Sequence, residues 1–199
     1  MMPIQENDIT IDGAVLHCLD CGNPGDPAVI LLHGMKFRAE TWRELGTLEV
    51  VAGLGRRVLA VDMPGFGKSP ASEVEPVEAL ARLLRHLELE QVVVVGPSMG
   101  GRIALDFAIR HPQRVAGLVL VGAVGVEENR AGLAAIVAPT LIVWGAEDQI
   151  SPLTNSDILL AGIKNATREI YPDAPHPCYL AQPERWHTSL KTFLTSLKV

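Results

Sequence analysis

Short runs of almost continuously apolar residues recur along the chain and predict buried β-strands. Strands of a parallel sheet with helices on both faces lose the alternation of polar and apolar positions, because neither face meets water. Such runs predict the strands Ala28–Leu32, Arg57–Val61, Gln91–Val95, Val115–Val121, Thr140–Trp144 and Ala166–Tyr171. Stretches with helical spacing alternate with them, near Ala39–Gly53, Val74–Leu87, Gly100–Arg110, Pro152–Ala161 and Pro183–Leu197. This order predicts an α/β fold with a mostly parallel sheet of about seven to eight strands.

Two shorter segments, Ile9–Ile11 and Val15–Leu19, precede the first parallel strand and are separated by Asp12-Gly13. An Asp-Gly pair between two such segments is typical of a two-residue hairpin with a type I′ turn. We therefore expect an antiparallel hairpin at one edge of the sheet.

The stretch from Gly122 to Ala138 has the least regular pattern. Gly125 and the polar residues after it, Glu127 to Asn129, favour a loop, whereas Leu133–Val137 favours a short helix. The stretch has only 17 residues, too few for a second folded unit. We expect residues 1–199 to form a single domain.

Composition and charge narrow the function classes. Of the 199 residues, 48% are hydrophobic and 20% are charged, which suits one globular core. A net charge of −6 disfavours nucleic acid and anionic membranes as partners. The apolar runs are too short to span a bilayer, and the first eight residues lack the basic start and apolar core of a secretory signal. A cytoplasmic location is the resulting expectation.

Three cysteines, Cys18, Cys21 and Cys178, cannot all pair within one chain, which favours a reducing compartment. The Cys18-x-x-Cys21 spacing alone does not indicate a zinc site, because zinc needs further ligands, nor a redox motif, which opens a helix. Packed, unreactive thiols are the expectation, with no metal ion bound.

The first candidate catalytic motif is Gly96-Pro97-Ser98-Met99-Gly100, between a predicted strand and a predicted helix. In such a G-x-S-x-G turn, only small residues fit two places on either side of the serine, and the turn lifts the hydroxyl clear of the sheet. Ser98 is therefore the predicted nucleophile. The amide of Met99 is a predicted donor to a substrate oxyanion.

A serine nucleophile needs a base, and the base needs an orienting acid. Asp148 follows the strand Thr140–Trp144, and His176 follows the last strand, so both lie on loops at the same edge as Ser98. The chain order Ser98, Asp148, His176 is typical of this catalytic arrangement. Glu147 is a rival for the acid, and a helix cap before the next helix is an alternative role for Asp148.

Further residues at this edge complete the candidate site. His33 lies after the first parallel strand, where we expect it to brace the backbone, and the amide of Met35 is the second predicted oxyanion donor. Phe37 and Ile150 are candidate substrate-binding residues, although ordinary packing explains them equally well.

The chain resembles the α/β-hydrolases in five places. These are the turn Gly96-Pro97-Ser98-Met99-Gly100 (the nucleophile elbow), His33-Gly34, the segment from Asp62 to Ser69, the segment from Trp144 to Asp148, and the loop that contains His176. More narrowly, residues 33–42 and the run His176-Pro177-Cys178-Tyr179-Leu180 resemble the small lidless CIB, or α/β-hydrolase domain-containing 14, subfamily. The elbow departs from that subfamily at Gly96, where the subfamily has serine. The resemblance implies an α/β-hydrolase fold without a cap domain, esterase-type activity on short acyl groups, and a role as a protein partner.

The predicted function is that of a serine carboxylesterase, which cleaves short-chain acyl esters through an acyl-enzyme and needs no cofactor. The same triad would also serve an acyltransferase or a perhydrolase. A different alternative is a protein-binding scaffold without activity. The expected partner is a small acyl ester, and exposed apolar surface around an uncapped site favours a homodimer or a protein partner.

Overall fold

An eight-stranded sheet organises the protein in a computed structural model that describes residues 2–198. Its strands are β1 (Gln5–Ile11), β2 (Ala14–Cys21), β3 (Ala28–Leu31), β4 (Arg57–Val61), β5 (Val92–Pro97), β6 (Val115–Val121), β7 (Thr140–Gly145) and β8 (Ala166–Tyr171). They lie in the order β1-β2-β4-β3-β5-β6-β7-β8. The hairpin β1–β2 is antiparallel and β2 joins β4 antiparallel, whereas β3 to β8 run parallel to one another. The predicted α/β architecture is confirmed.

Eight α-helices connect and cover these strands within the described residues. They are α1 (Ala39–Glu44), α2 (Thr47–Ala52), α3 (Pro76–His86), α4 (Met99–Arg110), α5 (Val126–Asn129), α6 (Leu153–Gly162), α7 (Cys178–Ala181) and α8 (Pro183–Ser196). Short 3-10 segments occupy Pro112–Arg114 and Arg130–Ala135. None of the helices in residues 2–198 has the length and apolar character needed to cross a membrane.

The hydrophobic core has two halves, one on each face of the sheet. Side chains of a strand point alternately to opposite faces, and β5 shows this directly: Val94 packs with α3 to α6, whereas Val95 packs with the helices of the other face. On that other face, Trp42 of α1, Tyr179 of α7 and Trp186 of α8 form a buried aromatic cluster. Burial of both faces explains why the strands read as continuous apolar runs.

Local structure differs from the sequence prediction in several places. The helix predicted over 39–53 is two helices, because Gly46 has a positive φ of 78° that interrupts the α-conformation. The loop predicted around Glu127 is instead the helix α5, and the short helix predicted over 133–137 is replaced by the 3-10 segment. Helix α7 was not predicted. Each of these elements is six residues or shorter, below the length at which apolar periodicity identifies a helix.

The turn of the hairpin also differs from the prediction. Asp12 and Gly13 form the expected two-residue connection, with Ile11 paired to Ala14. Only Gly13 has a positive φ, of 82°, whereas a type I′ turn requires positive φ at both residues. The type I′ prediction is therefore wrong.

The three cysteines are buried and form no disulfide with one another. Burial raises the pKa of the Cys18 thiol to about 12, so that thiol stays protonated at neutral pH. Within residues 2–198, no group of three or more His, Cys, Asp or Glu side chains is arranged to hold a metal ion.

The strand order reverses at β3, which lies between β4 and β5. In open α/β sheets, ligands bind at the carboxyl ends of the strands next to such a reversal. The loops that follow β3 and β5 contain Met35 and Ser98, so the predicted nucleophile and oxyanion donor lie at this position.

Candidate active site

Ser98 occupies a strained turn between β5 and α4. Its backbone has φ 51° and ψ −114°, a conformation that non-glycine residues adopt only where the surrounding structure enforces it. The turn is also crowded: a Cβ on Gly96 would overlap the Gly100 carbonyl, and a Cβ on Gly100 would lie 2.7 Å from the carbonyl oxygen of His33. Both glycines are therefore required for the geometry that the G-x-S-x-G pattern predicts.

Asp148 and His176 form a hydrogen-bonded pair after β7 and β8. His176 Nδ1 lies 2.7 Å from Asp148 Oδ2, and the Asp148 side chain has no exposed surface. The other oxygen, Asp148 Oδ1, accepts hydrogen bonds from the amides of Ile150 and Ser151, each at 2.8 Å. Because a carboxylate only accepts hydrogen bonds, His176 Nδ1 is the donor of the pair.

The second ring nitrogen of His176 is buried and has no hydrogen-bond partner among the residues of the described chain. With the proton on Nδ1, Nε2 carries a lone pair. The His176 side chain remains 16% exposed, although Nε2 itself is buried. The nitrogen can accept a proton from a nucleophile placed beside it.

The turn around Gly122 contacts both Ser98 and this pair. The amide of Ser98 donates to the carbonyl of Val121 at 2.9 Å, and the carbonyl of Ser98 accepts from the amide of Val124 at 3.3 Å. Between these contacts, a Cβ on Gly122 would lie 3.0 Å from Asp148 Oδ2 and 3.3 Å from His176 Nδ1. The nucleophile turn and the Asp148–His176 pair therefore pack against the same short segment.

The turn after β3 lies against Ser98 from the other side. A Cβ on Gly34 would be 3.6 Å from Ser98 Cβ. His33 braces this turn, because its Nδ1 donates to the Gly34 carbonyl at 2.9 Å and its Nε2 accepts from the Met63 amide at 3.1 Å. The bracing role predicted for His33 agrees with these contacts.

Two backbone amides next to Ser98 remain available as donors. Within residues 2–198, neither the Met35 amide nor the Met99 amide donates a hydrogen bond to a protein group. Met99 is the first residue of α4, where the amides lack intrahelical partners and the helix dipole is positive. Such amides favour a negatively charged oxygen.

The predicted substrate-binding residues lie at the rim of this region. Ile150 is 66% exposed, and the side chain of Met35 is exposed to the same extent. Phe37 is half-buried, with its ring edge-on to Tyr179 at a centroid distance of 6.4 Å. Phe37 therefore has packing contacts of its own, whereas most of Ile150 is exposed to solvent.

Cys178 lies close to the pair but is not a rival nucleophile. Burial, and secondarily the charge of Asp148, raise the pKa of its thiol to about 12. The neutral thiol is a poor nucleophile at physiological pH.

Sequence reasoning missed two residues that shape this region, Gly122 and Ser151. Gly122 directly follows β6 and has a positive φ of 52°, and the signal for it was a glycine at the carboxyl end of a predicted strand. Ser151 is 1% exposed and bonds to Asp148 through its amide. No sequence pattern marks a serine in such a role.

The family model for the α/β-hydrolase fold matches residues 27–134, more than half of the chain. The chain belongs to the α/β-hydrolase family. A rat protein named "Putative protein-lysine deacylase ABHD14B" is 38% identical over 179 residues, which cover 85% of this chain and 84% of the rat protein. A human protein, ABHD14A, is 36% identical over 176 residues, 85% of this chain and 64% of that protein.

The solved structure of a CIB-like hydrolase from Thermoplasma acidophilum superposes with a TM-score of 0.95 at 26% identity, covering 99% of this chain and 100% of that one. Within the family, the chain is thus a member of the ABHD14 subfamily, as the sequence resemblance implied. The rat relative is named as a deacylase and the superposed structure as a hydrolase, and the chain is accordingly an enzyme of the hydrolase class.

Proposed function

We propose that the protein is a serine hydrolase that cleaves short-chain acyl esters through a Ser98–His176–Asp148 triad. The observation that supports this most strongly is the Asp148–His176 hydrogen bond of 2.7 Å, with the buried Nε2 of His176 left without a partner in the described chain. The strained turn that presents Ser98 packs against the same Gly122 segment. In this structure Nε2 makes no hydrogen bond to Ser98 Oγ, and catalytic contacts of this kind often form only when a substrate is bound. An oriented base that can reach a presented hydroxyl is the arrangement that activates serine.

In the proposed reaction, Ser98 Oγ attacks the acyl carbonyl carbon while its proton passes to His176 Nε2. The collapse of the tetrahedral intermediate breaks the bond to the alcohol, which leaves with the proton from Nε2. Water then attacks the acyl-enzyme, gives a proton to Nε2, and releases the carboxylic acid as Ser98 regains its proton. Asp148 holds the ring tautomer and stabilises the imidazolium formed in each half-reaction.

The amides of Met35 and Met99 are the proposed donors to the oxyanion. Both lie next to the nucleophile turn, and neither has a protein acceptor among residues 2–198. Each donor of this kind contributes about 3 kcal/mol of transition-state stabilisation. Neither the formation nor the hydrolysis of the acyl-enzyme requires a metal ion or an organic cofactor.

Substrate size follows from the surroundings of the site. The connection between β6 and β7 consists of α5 and the 3-10 segment, which pack against α4 and α6. The side chains of Met35 and Ile150 are each 66% exposed at the rim. We propose an open site without a lid, which holds small acyl groups in place but offers little enclosed apolar surface to a long chain.

A second candidate reaction is removal of an acyl group from a lysine amine. The name of the rat relative, a protein-lysine deacylase, favours it. The same acyl-enzyme would form, with the lysine amine leaving in place of an alcohol and taking the proton from His176 Nε2. An exposed rim suits a substrate that is part of a protein surface. A peptide carrying Nε-acetyl-lysine, assayed beside the esters, compares the two reactions.

Hydrolysis of a p-nitrophenyl ester series from acetyl to dodecanoyl tests the proposal. Turnover should be highest for acetyl to butyryl esters and should be lost in Ser98→Ala. Ser196→Ala, a change at the end of α8, is the matched control and should keep full activity. Retained turnover in Ser98→Ala, or faster cleavage of dodecanoyl than of butyryl esters, would contradict the proposal.

A further inference from the structure

We infer that Ser151 is a positioning residue. It holds the loop after β7, which contains Asp148, at the distance from the nucleophile turn that catalysis requires. This role rests on the proposed function, because it acts on the Asp148–His176 pair. Ser151 is buried, 1% exposed, and lies three residues after Asp148. It is therefore placed to act through Asp148 and not by contact with a substrate.

Every polar group of Ser151 is engaged in holding this loop. Its amide donates to Asp148 Oδ1 at 2.8 Å, and its carbonyl accepts from Trp144 Nε1 at 2.9 Å. Its hydroxyl donates to the carbonyl of Ala123 at 2.7 Å and accepts from Asn155 Nδ2 at 2.9 Å. The residue thus connects the acid, the strand β7, the helix α6 and the segment after β6.

The direction of the hydroxyl proton is set by its two neighbours. The side-chain NH2 of Asn155 can only donate, and the carbonyl of Ala123 can only accept. The Ser151 hydroxyl must therefore accept from Asn155 and donate to Ala123. A hydroxyl with one fixed orientation provides a more rigid link than one that rotates.

The hydrogen bond to the Ala123 carbonyl connects Ser151 to the segment that contacts the proposed catalytic groups. Ala123 follows Gly122, whose Cβ, if present, would lie 3.0 Å from Asp148 Oδ2. Ala123 also packs against α4, since a Cβ on Gly101 would be 2.7 Å from the Ala123 methyl. The adjacent Val124 amide bonds to the Ser98 carbonyl. The Ser151 hydroxyl therefore ties the loop of Asp148 to the segment that contacts the nucleophile turn.

Ser151→Ala removes this tie and keeps the amide contact to Asp148. The expected result is a fall in kcat of about 10- to 100-fold, because a shift of about 1 Å in a catalytic group costs about 100-fold. KM should stay within about twofold, since no substrate contact is lost. Asn155→Ala leaves the hydroxyl in place but frees its orientation, and it should lower kcat in the same direction by a smaller factor.

Ser156→Ala is the matched control. Ser156 is also buried and lies on α6, and its hydroxyl likewise makes two hydrogen bonds, to the Leu153 carbonyl and from Arg168 Nη1. No hydrogen bond joins it to the Asp148 loop in the described chain. It should lose stability to an extent similar to Ser151→Ala but keep kcat near the wild-type value in the folded protein.

A double-mutant cycle with Asp148→Asn decides whether Ser151 acts through Asp148. In the Asp148→Asn background, Ser151→Ala should cause little further loss of kcat. An equal loss in both backgrounds, or a wild-type kcat in Ser151→Ala, would overturn the positioning role alone. A wild-type protein without Ser98-dependent turnover would overturn the proposed function, and this role with it.

Discussion

Two aspartate–histidine sets lie at the same edge of the sheet and differ in whether every side-chain nitrogen and oxygen has a hydrogen-bond partner. His33 and Asp62 follow the neighbouring strands β3 and β4, and both ring nitrogens of His33 bond to backbone groups. Both carboxylate oxygens of Asp62 are engaged as well, since Oδ1 accepts from the Ala39 amide at 2.6 Å and Oδ2 from the Lys68 amide at 2.8 Å. These residues join two loops and the start of α1, and neither ring nitrogen of His33 is left to accept a proton.

The second set contains the same two residue types, Asp148 and His176, but its side chains make one hydrogen bond fewer. Asp148 accepts three hydrogen bonds, whereas His176 uses Nδ1 only and leaves Nε2 without a partner in residues 2–198. A buried polar atom without a partner costs free energy, so its retention favours a functional explanation. The unpartnered ring nitrogen, more than the residue type, therefore distinguishes the candidate catalytic histidine from the one that braces the backbone.

Replacing each histidine by alanine should separate the two roles most strongly. His176→Ala should lower kcat/KM by about 10,000-fold or more, with thermal unfolding close to wild type, because the base is lost and no structural bond besides Asp148 depends on it. His33→Ala should destabilise the fold by about 2 to 4 kcal/mol, since the Gly34 carbonyl and the Met63 amide lose their partner. Ester kinetics and urea unfolding of both variants check this. Equal effects on activity would remove the distinction.

A smaller effect is expected from adding one methyl group beside each aspartate. Gly122→Ala places a Cβ 3.0 Å from Asp148 Oδ2 at a positive φ of 52°, and it should lower kcat by about 100-fold through displacement of the pair. Gly67→Ala, at φ 54°, would overlap the Asp62 carboxylate. It should mainly destabilise the fold, with kcat per folded molecule near wild type. Active-site titration beside thermal unfolding distinguishes the two outcomes, and the reverse pattern would contradict the account.

The smallest effect concerns the pH dependence of stability. Burial lowers the pKa of His33 from its ordinary value of 6.5, so the unfolded chain binds a proton there more readily than the folded one. Stability attributed to neutral His33 is therefore complete above pH 6.5 and is lost as the pH falls toward the folded-state pKa.

Burial also lowers the pKa of His187, which adds a slope of the same sign. The difference between wild type and His33→Asn isolates the His33 part. Urea unfolding from pH 8 to pH 5 should show a shallower decline for the variant, and an unchanged slope would show that His33 contributes nothing.

Much of the fold and site could be predicted because the signals are local. Strands such as Val115–Val121 are continuous apolar runs, and the order of Ser98, Asp148 and His176 places each after a predicted strand. Parallel strands bring their carboxyl ends to one edge, so these residues could be placed together without knowledge of their contacts. The hydrogen bond between Asp148 and His176 agrees with that placement.

The remaining features depend on contacts between distant segments and left no local pattern. Ser151 acquires its role only because its hydroxyl meets the Ala123 carbonyl, 28 residues earlier in the chain. Helix α5 has four residues, too few to show a helical period. The free Nε2 of His176 and the filled bonds of His33 are likewise tertiary properties, although both residues are histidines at the same edge.

Covalent labelling with a fluorophosphonate measures whether His176 and Asp148 activate Ser98. The reagent phosphonylates an activated serine, and peptide mass mapping identifies the residue. One adduct is expected, on the peptide that contains Ser98, absent in Ser98→Ala and formed at least about 1,000-fold more slowly in His176→Ala. An adduct on another residue, or labelling of His176→Ala at the wild-type rate, would contradict it.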